Sequence, residues 1–182
     1  GSLWAWGNNA LGGLGDGTTT NRATPVRIGT ATTWTDIFGG WNNSAALKSD
    51  GTMWVWGYNT YGSADRTTPA QIGAEPSWTF VAGGAYHSAA LRSAGTLWLW
   101  GDNVYGQLGD GSTVQRPSPV RVGTGTNWAK VVIGGSHTAA LKSDGTVVGW
   151  GDNFYGQRTP PTGLNEVVAI SAGGQHSLAL QS

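Results

Sequence analysis

The stretch Leu97-Trp98-Leu99-Trp100-Gly101-Asp102-Asn103-Val104-Tyr105-Gly106-Gln107-Leu108-Gly109-Asp110-Gly111 sets the reading of the whole chain. It opens with four consecutive apolar residues closed by Gly, the pattern of a short strand buried on both faces. Asp102 and Asn103 then offer side chains that bond their own backbone in a turn, and Asp110-Gly111 reads as a second turn. No segment of the chain sustains the 3.6-residue apolar period of a helix.

The pattern recurs. Trp-Gly-x-Asn begins at Trp6, Trp56, Trp100 and Trp150, with spacings of 50, 44 and 50. Gly-Gly pairs stand at Gly39-Gly40, Gly83-Gly84, Gly134-Gly135 and Gly173-Gly174, each leading into a short apolar run such as Ser44-Ala45-Ala46-Leu47. Arg with Pro three residues on appears as Arg22/Pro25, Arg66/Pro69, Arg116/Pro119 and Arg158/Pro161. Asp50-Gly51 and Asp144-Gly145 sit between apolar runs, the strongest short-range hairpin signal, since Asp and Gly accept positive φ cheaply. Val26-Arg27-Ile28 and Val120-Arg121-Val122 follow Pro and alternate, as an outer strand does. Trp34 to Phe38, Trp78 to Val81 and Trp128 to Ile133 supply a further strand before each Gly pair.

Each repeat is therefore about four short strands, apolar on both faces and unstable alone. Stacked around an axis, such units make an all-β fold, a β-propeller of four-stranded blades. The chain is predicted to be a single domain over 1–182, with four repeats at approximately 1–47, 48–91, 92–141 and 142–182. A β-solenoid is the alternative, but its coils are usually shorter.

The repeats read as circularly permuted. Gly1-Ser2-Leu3-Trp4-Ala5-Trp6 matches Gly51-Thr52-Met53-Trp54-Val55-Trp56, whereas Leu180-Gln181-Ser182 matches Leu47-Lys48-Ser49 just before that turn. Joined end to start, the chain holds repeats of 50, 44, 50 and 38 residues. Three closures fit: a four-bladed monomer, an eight-bladed ring of two chains, or a segment of a longer propeller. Covering strand edges in any of these ways removes a template for aggregation. Wide, Trp-rich blade faces pack poorly at the sharp angle of four blades, which favours the dimer or the longer parent.

Composition narrows the functional classes. The chain has 182 residues, 31 Gly, 11 Trp and no Cys, with ten basic and ten acidic residues. Gly lacks the three-residue period of collagen, and absence of Cys excludes disulfide frameworks and thiolate metal sites. Zero formal net charge argues against a nucleic-acid surface, whose affinity rests on clustered Lys and Arg. No apolar run reaches the roughly 20 residues of a membrane helix, and no signal peptide opens the chain. The expectation is a soluble protein with no membrane contact and an open compartment.

The stretch quoted first, with Arg116-x-x-Pro119-Val120 and the Gly-Gly-x-His-x-x-Ala-Leu segment, closely resembles the repeat of the regulator of chromosome condensation family. The resemblance covers the whole chain. It implies a β-propeller, typically of seven blades, so four repeats depart from the family. Repeat four is similar to the compact repeats of bacterial β-lactamase-inhibitor propellers. The family's roles include nucleotide exchange on a small GTPase, chromatin binding, ultraviolet sensing and enzyme inhibition. These act through loop surfaces and share no catalytic centre.

Candidate residues divide into those that recur and those that vary. His87, His137 and His176 occupy one place in three repeats, with Asn43 in the first. A recurring residue reads as a hydrogen-bonding group tying one strand to the next. Arg22, Arg66, Arg116 and Arg158 read as structural partners for the same reason. Asp16-Gly17 and Asp110-Gly111 carry too few carboxylates for calcium, and no catalytic, metal or cofactor site is predicted. Trp4, Trp6, Trp54, Trp56, Trp98, Trp100 and Trp150 read as core between blades. Trp41 and Asn42, with Tyr86, vary most within recurring surroundings. Together with Tyr61, Tyr105, Phe154 and Tyr155, they resemble an aromatic recognition surface at one end of the ring. The predicted function is a non-catalytic propeller that binds a protein partner or acts as a scaffold, self-associating into a closed ring. The alternatives are a carbohydrate-binding propeller and a structural repeat of an extracellular or virion protein.

Overall fold

The computed structural model describes residues 1–58 and 65–182, and every described element is a strand or a turn. The chain divides into two compact units, Gly1–Val81 and Ala82–Ser182.

The first unit begins with a two-stranded sheet of β1 (Trp4–Gly7) and β2 (Arg22–Arg27). A four-stranded antiparallel sheet follows: β3 (Trp34–Gly39), β4 (Asn43–Lys48), β5 (Met53–Gly57) and β6 (Arg66–Ile72), hydrogen-bonded in chain order. β7 (Trp78–Gly83) carries the division between the units. It lies in a second four-stranded sheet with β8 (His87–Arg92), β9 (Leu97–Gly101) and β10 (Arg116–Arg121). The second unit continues with a three-stranded sheet of β11 (Trp128–Ile133), β12 (His137–Lys142) and β13 (Val147–Gly151). It ends with a two-stranded sheet of β14 (Val167–Ala172) and β15 (Ser177–Gln181).

The sequence dictates why each strand takes its place. The Ala-Ala-Leu runs form β4, β8 and β12, the central strands, and in each the Ala-Ala-Leu run itself is buried. Small side chains there let the neighbouring sheet approach closely, as interior packing requires. β2, β6 and β10 are outer strands that begin with Arg and contain Pro. Their ladders slip between Ala5 and Gly7, Val55 and Gly57, and Arg116 and Val120. Pro lacks the N–H that a regular ladder needs, so each Arg-x-x-Pro segment coincides with the irregularity.

The hairpin turns differ from the expectation in one respect. At Ser49-Asp50-Gly51 only the Gly has positive φ, at 77°. The Gly51 N–H donates to the Lys48 carbonyl, and the Lys48 N–H to that of Thr52. The turn is thus a three-residue loop with a left-handed Gly, the other common hairpin connection, and Asp50 instead accepts the Thr52 N–H at 2.9 Å.

The Gly pairs are also less uniform than they look. The N–H of Gly40, Gly84, Gly134 and Gly173 donates to the carbonyl of Asn43, His87, His137 and His176, respectively. The equivalent Gly is therefore the second of the pair in two repeats and the first in the other two. Gly135 and Gly174 stand where Trp41 and Ala85 stand.

In the first unit, Leu3, Ile28, Trp34, Ala46 and Trp56 form one buried cluster. The Trp34 ring meets Trp54 edge-on, with centroids 6.1 Å apart. In the second unit, Leu141, Val167 and Ile170 cluster with Val132, Val147 and Leu164.

Trp4 and Trp6 overturn the expectation of a buried position. Trp56 is 5% exposed and Trp6, at the equivalent place, 62%. Trp4 is half exposed. The reason lies in the sheet: β5 has β4 beside it, whereas β1 pairs with β2 alone.

Candidate functional site

The loops that follow β9 and β13 are built alike. Asp102 Oδ2 accepts Gln107 Nε2 at 2.9 Å, and Gln107 Oε1 accepts the Tyr105 N–H at 2.9 Å. In the next repeat Asp152 Oδ2 accepts Gln157 Nε2 at 2.8 Å, and Gln157 Oε1 accepts the Tyr155 N–H at 2.9 Å. Asp102, Asn103, Gln107 and Gln157 are buried polar residues, so their mutual hydrogen bonds offset the cost of removing them from water. Each clamp pins a short turn from below and leaves its apolar tip outside. Val104, Tyr105, Phe154 and Tyr155 are all more than half exposed, and Phe154 reaches 82%. The Phe154 and Tyr155 rings meet edge to face with centroids 4.8 Å apart, a geometry that favours a fixed pair.

Tyr86 joins this end of the same sheet. Its carbonyl accepts the Asp102 N–H at 2.9 Å, and its side chain is 42% exposed. The second unit thus gathers Tyr86, Tyr105, Phe154 and Tyr155 on turns at corresponding ends of its sheets. Trp41 and Asn42 lie in the first unit, in the turn between β3 and β4. Both are exposed, and both line a cavity of about 430 Å³ together with Trp6, Phe38 and Trp56. Tyr61 lies outside the described residues.

The recurring polar residues are placed differently. His87 Nε2 is 2.9 Å from Thr138 Oγ1, and that hydroxyl donates to the Gln107 carbonyl at 2.8 Å. His137 Nε2 is 2.9 Å from Ser177 Oγ, which donates to the Gln157 carbonyl at 2.8 Å. Each hydroxyl has one proton and gives it to a carbonyl, so each ring must donate from Nε2. The Nδ1 atoms are buried with no hydrogen-bond partner among the described residues. Burial pushes His87 down to about 3 and also lowers His137. Both rings are neutral at pH 7, and His87 is sealed from solvent. His176 is exposed.

Arg22 and Arg116 each pair with the Asp of the preceding Asp-Gly turn. The Arg22–Asp16 and Arg116–Asp110 contacts are both 2.7 Å. Burial alone would raise Asp16 and Asp110. Hydrogen bonds from Thr18 and Arg22, and from Ser112 and Arg116, outweigh it and bring both carboxyls to about 2. Their oxygens are occupied by these donors. Arg158, in a repeat that lacks the long loop, caps the Gly151 carbonyl at 2.9 Å instead. Arg66 opens β6 opposite Gly57. Among the described residues there is no group of three or more His, Cys, Asp or Glu placed to hold a metal ion, and no helix long and apolar enough to cross a membrane.

The clamps are what sequence reasoning missed. Asp102 and Asp152 were legible as turn formers, but Gln107 and Gln157 recur five residues later, and that spacing was their signal.

Two models of the Regulator of chromosome condensation (RCC1) repeat match the chain, one over residues 1–47 and 94–141, the other over 34–63, 78–107 and 128–157. The chain belongs to the regulator of chromosome condensation repeat family. Solved structures of regulator of chromosome condensation propellers agree. The chain superposes on human WBSCR16 with a TM-score of 0.81 at 22% identity, over 97% of this chain and 54% of that one. Yeast RCC1 (Prp20), solved bound to Kap60, gives 0.80 at 19% identity over 100% and 50%. Prp20p from Saccharomyces cerevisiae, described with its binding properties to Gsp1p and histones, gives 0.78 at 21% over 98% and 51%. The fold is all-β and propeller-type, and the chain spans about half the length of each of these structures.

Proposed function

We propose that this chain is a non-catalytic propeller module that recognises a protein partner through the aromatic turns of its second unit. One observation carries the reading: the same buried Asp–Gln clamp is built twice, and each time it holds an exposed apolar pair outward. Exposed aromatics on a rigid base lose little conformational entropy on binding, the property of interface anchors. Tyr86 extends the surface, and Trp41 and Asn42 supply a second patch in the first unit. Prp20 is a protein of this fold solved with a protein partner, which supports the class of ligand. The neutral, engaged histidines favour a binding role over acid–base chemistry.

The test is quantitative capture with the wild-type chain and a Tyr105→Ser/Phe154→Ser/Tyr155→Ser variant of unchanged circular dichroism and Tm. A protein that binds the first and is lost from the second supports the reading. Retention by both overturns it, and glycan binding lost in the variant moves the chain to the carbohydrate-binding class.

A further inference from the structure

Resting on the reading of these turns as a recognition surface, we infer that Tyr86 and Tyr105 form one two-pronged anchor, positioned by a closed circuit of hydrogen bonds through the following sheet. The Tyr86 carbonyl accepts the Asp102 N–H at 2.9 Å. Asp102 Oδ2 accepts Gln107 Nε2 at 2.9 Å. The Gln107 carbonyl accepts the Thr138 hydroxyl at 2.8 Å, and that hydroxyl accepts His87 Nε2 at 2.9 Å. His87 follows Tyr86 in the chain, so the path returns to where it began. A further bond, from the Tyr105 N–H to Gln107 Oε1 at 2.9 Å, hangs the second prong on the same ring.

The circuit is shut away from water. His87, Asp102, Gln107 and Thr138 are all buried. Breaking one bond therefore strands both of its partners, and bonds joined in a network reinforce one another. Gln107 is fixed sterically as well. Gly151, at the end of β13, lies against it: a Cβ there would come within 2.8 Å of Gln107 Cβ. The spacing of the two Tyr-bearing turns is thus set by β12 and β13, strands that carry neither.

The other repeats show that the circuit is separable from the fold. The second unit builds it again. The Ser136 carbonyl accepts the Asp152 N–H at 2.9 Å, and Asp152 Oδ2 accepts Gln157 Nε2. The Gln157 carbonyl accepts the Ser177 hydroxyl, which accepts His137 Nε2. Ser136 takes the place of Tyr86 here, so this copy holds Phe154 and Tyr155 with no aromatic prong opposite. In the first unit Asn43 opposes Gly57 as His87 opposes Gly101, and Tyr58 stands at the place of Asp102. The Tyr58 N–H still donates to the Asn42 carbonyl at 2.7 Å. The backbone contact forms without His or carboxylate, so the strands do not require the circuit. What the side chains add is a fixed distance between two exposed tips. Anchors held in advance bind at less entropic cost than anchors that must be ordered. His87, Asp102, Gln107 and Thr138 are positioning residues for that pair.

Amide hydrogen exchange tests this, read residue by residue by NMR on the full 182-residue chain without ligand. Thr138→Val keeps the side-chain volume and removes the hydroxyl. Exchange at the Asp102 and Tyr105 amides should speed up by about tenfold, while Tyr155, on the other circuit, stays within about twofold of wild type. Thr138→Ser, which keeps the hydroxyl, should restore the wild-type rates. Should Thr138→Val not fold, His87→Asn removes the donor instead, with the residue type the first repeat carries at that place, and should speed the same two amides. Unchanged exchange at Asp102 and Tyr105, equal acceleration at Tyr155, or no restoration by Ser overturns the positioning and leaves the recognition reading standing. Retention of a captured protein by the Tyr105→Ser/Phe154→Ser/Tyr155→Ser variant overturns the recognition reading and the anchor with it, whatever the exchange shows.

Discussion

His87 donates from Nε2 to Thr138 Oγ1 at 2.9 Å, and Thr138 passes its own proton to the Gln107 carbonyl. Two strands and a loop from consecutive repeats are thereby joined through one buried hydroxyl. His87→Ala leaves that hydroxyl short of a donor and opens a cavity, so unfolding free energy should fall by about 2–4 kcal/mol. His137→Ala, at the part-buried Ser177 contact, should cost less. Urea titrations of both variants check the order.

The same histidines set a pH dependence. His87 has a folded pKa near 3 against an ordinary 6.5, so the unfolded chain binds more protons between these values. Its contribution is fully present above pH 6.5 and is lost as pH falls toward 3. Asp16 and Asp110, held near 2 against 3.8, add a second loss below about pH 4. The urea midpoint should drop between pH 7.5 and 4.5 in the wild type and drop less in His87→Gln.

Gly7 and Gly101 share a backbone conformation and should respond differently to Ala. Gly101→Ala drives a Cβ into the Tyr86 carbonyl at 2.5 Å and should prevent stable folding. Gly7→Ala meets no atom within 4 Å and costs only the left-handed backbone penalty, about 1–2 kcal/mol. Circular dichroism and urea titration should therefore find Gly7→Ala folded with a lowered midpoint and Gly101→Ala largely unfolded.

Phe154→Ser should change stability by no more than about 0.5 kcal/mol, because the side chain is 82% exposed. In the proposed interface it is an anchor, so affinity should fall at least tenfold. Gln157→Ala gives the opposite balance, leaving Asp152 and the Tyr155 N–H without their buried partner and lowering Tm. Calorimetry and partner titration separate the two.

Much of the fold is legible in the sequence itself. Repetition of Trp-Gly-x-Asn, Asp-Gly turns and Ala-Ala-Leu runs specified short strands and their order, because turn chemistry and apolar runs are local properties. The recurrence of Arg22 and Arg116 marked them as partners without naming Asp16 and Asp110, since five residues of loop separate the members of each pair. Gly135 and Gly174 looked equivalent to Gly40, yet hydrogen bonding shifts them by one place. Local sequence cannot register that slip. Trp6 and Trp56 sit in near-identical motifs, and only the presence or absence of a neighbouring strand decides that one is core and the other surface. Sequence alone determined which strands form. Tertiary structure decided which of their faces are covered, because burial belongs to what packs against a residue and not to the residue itself.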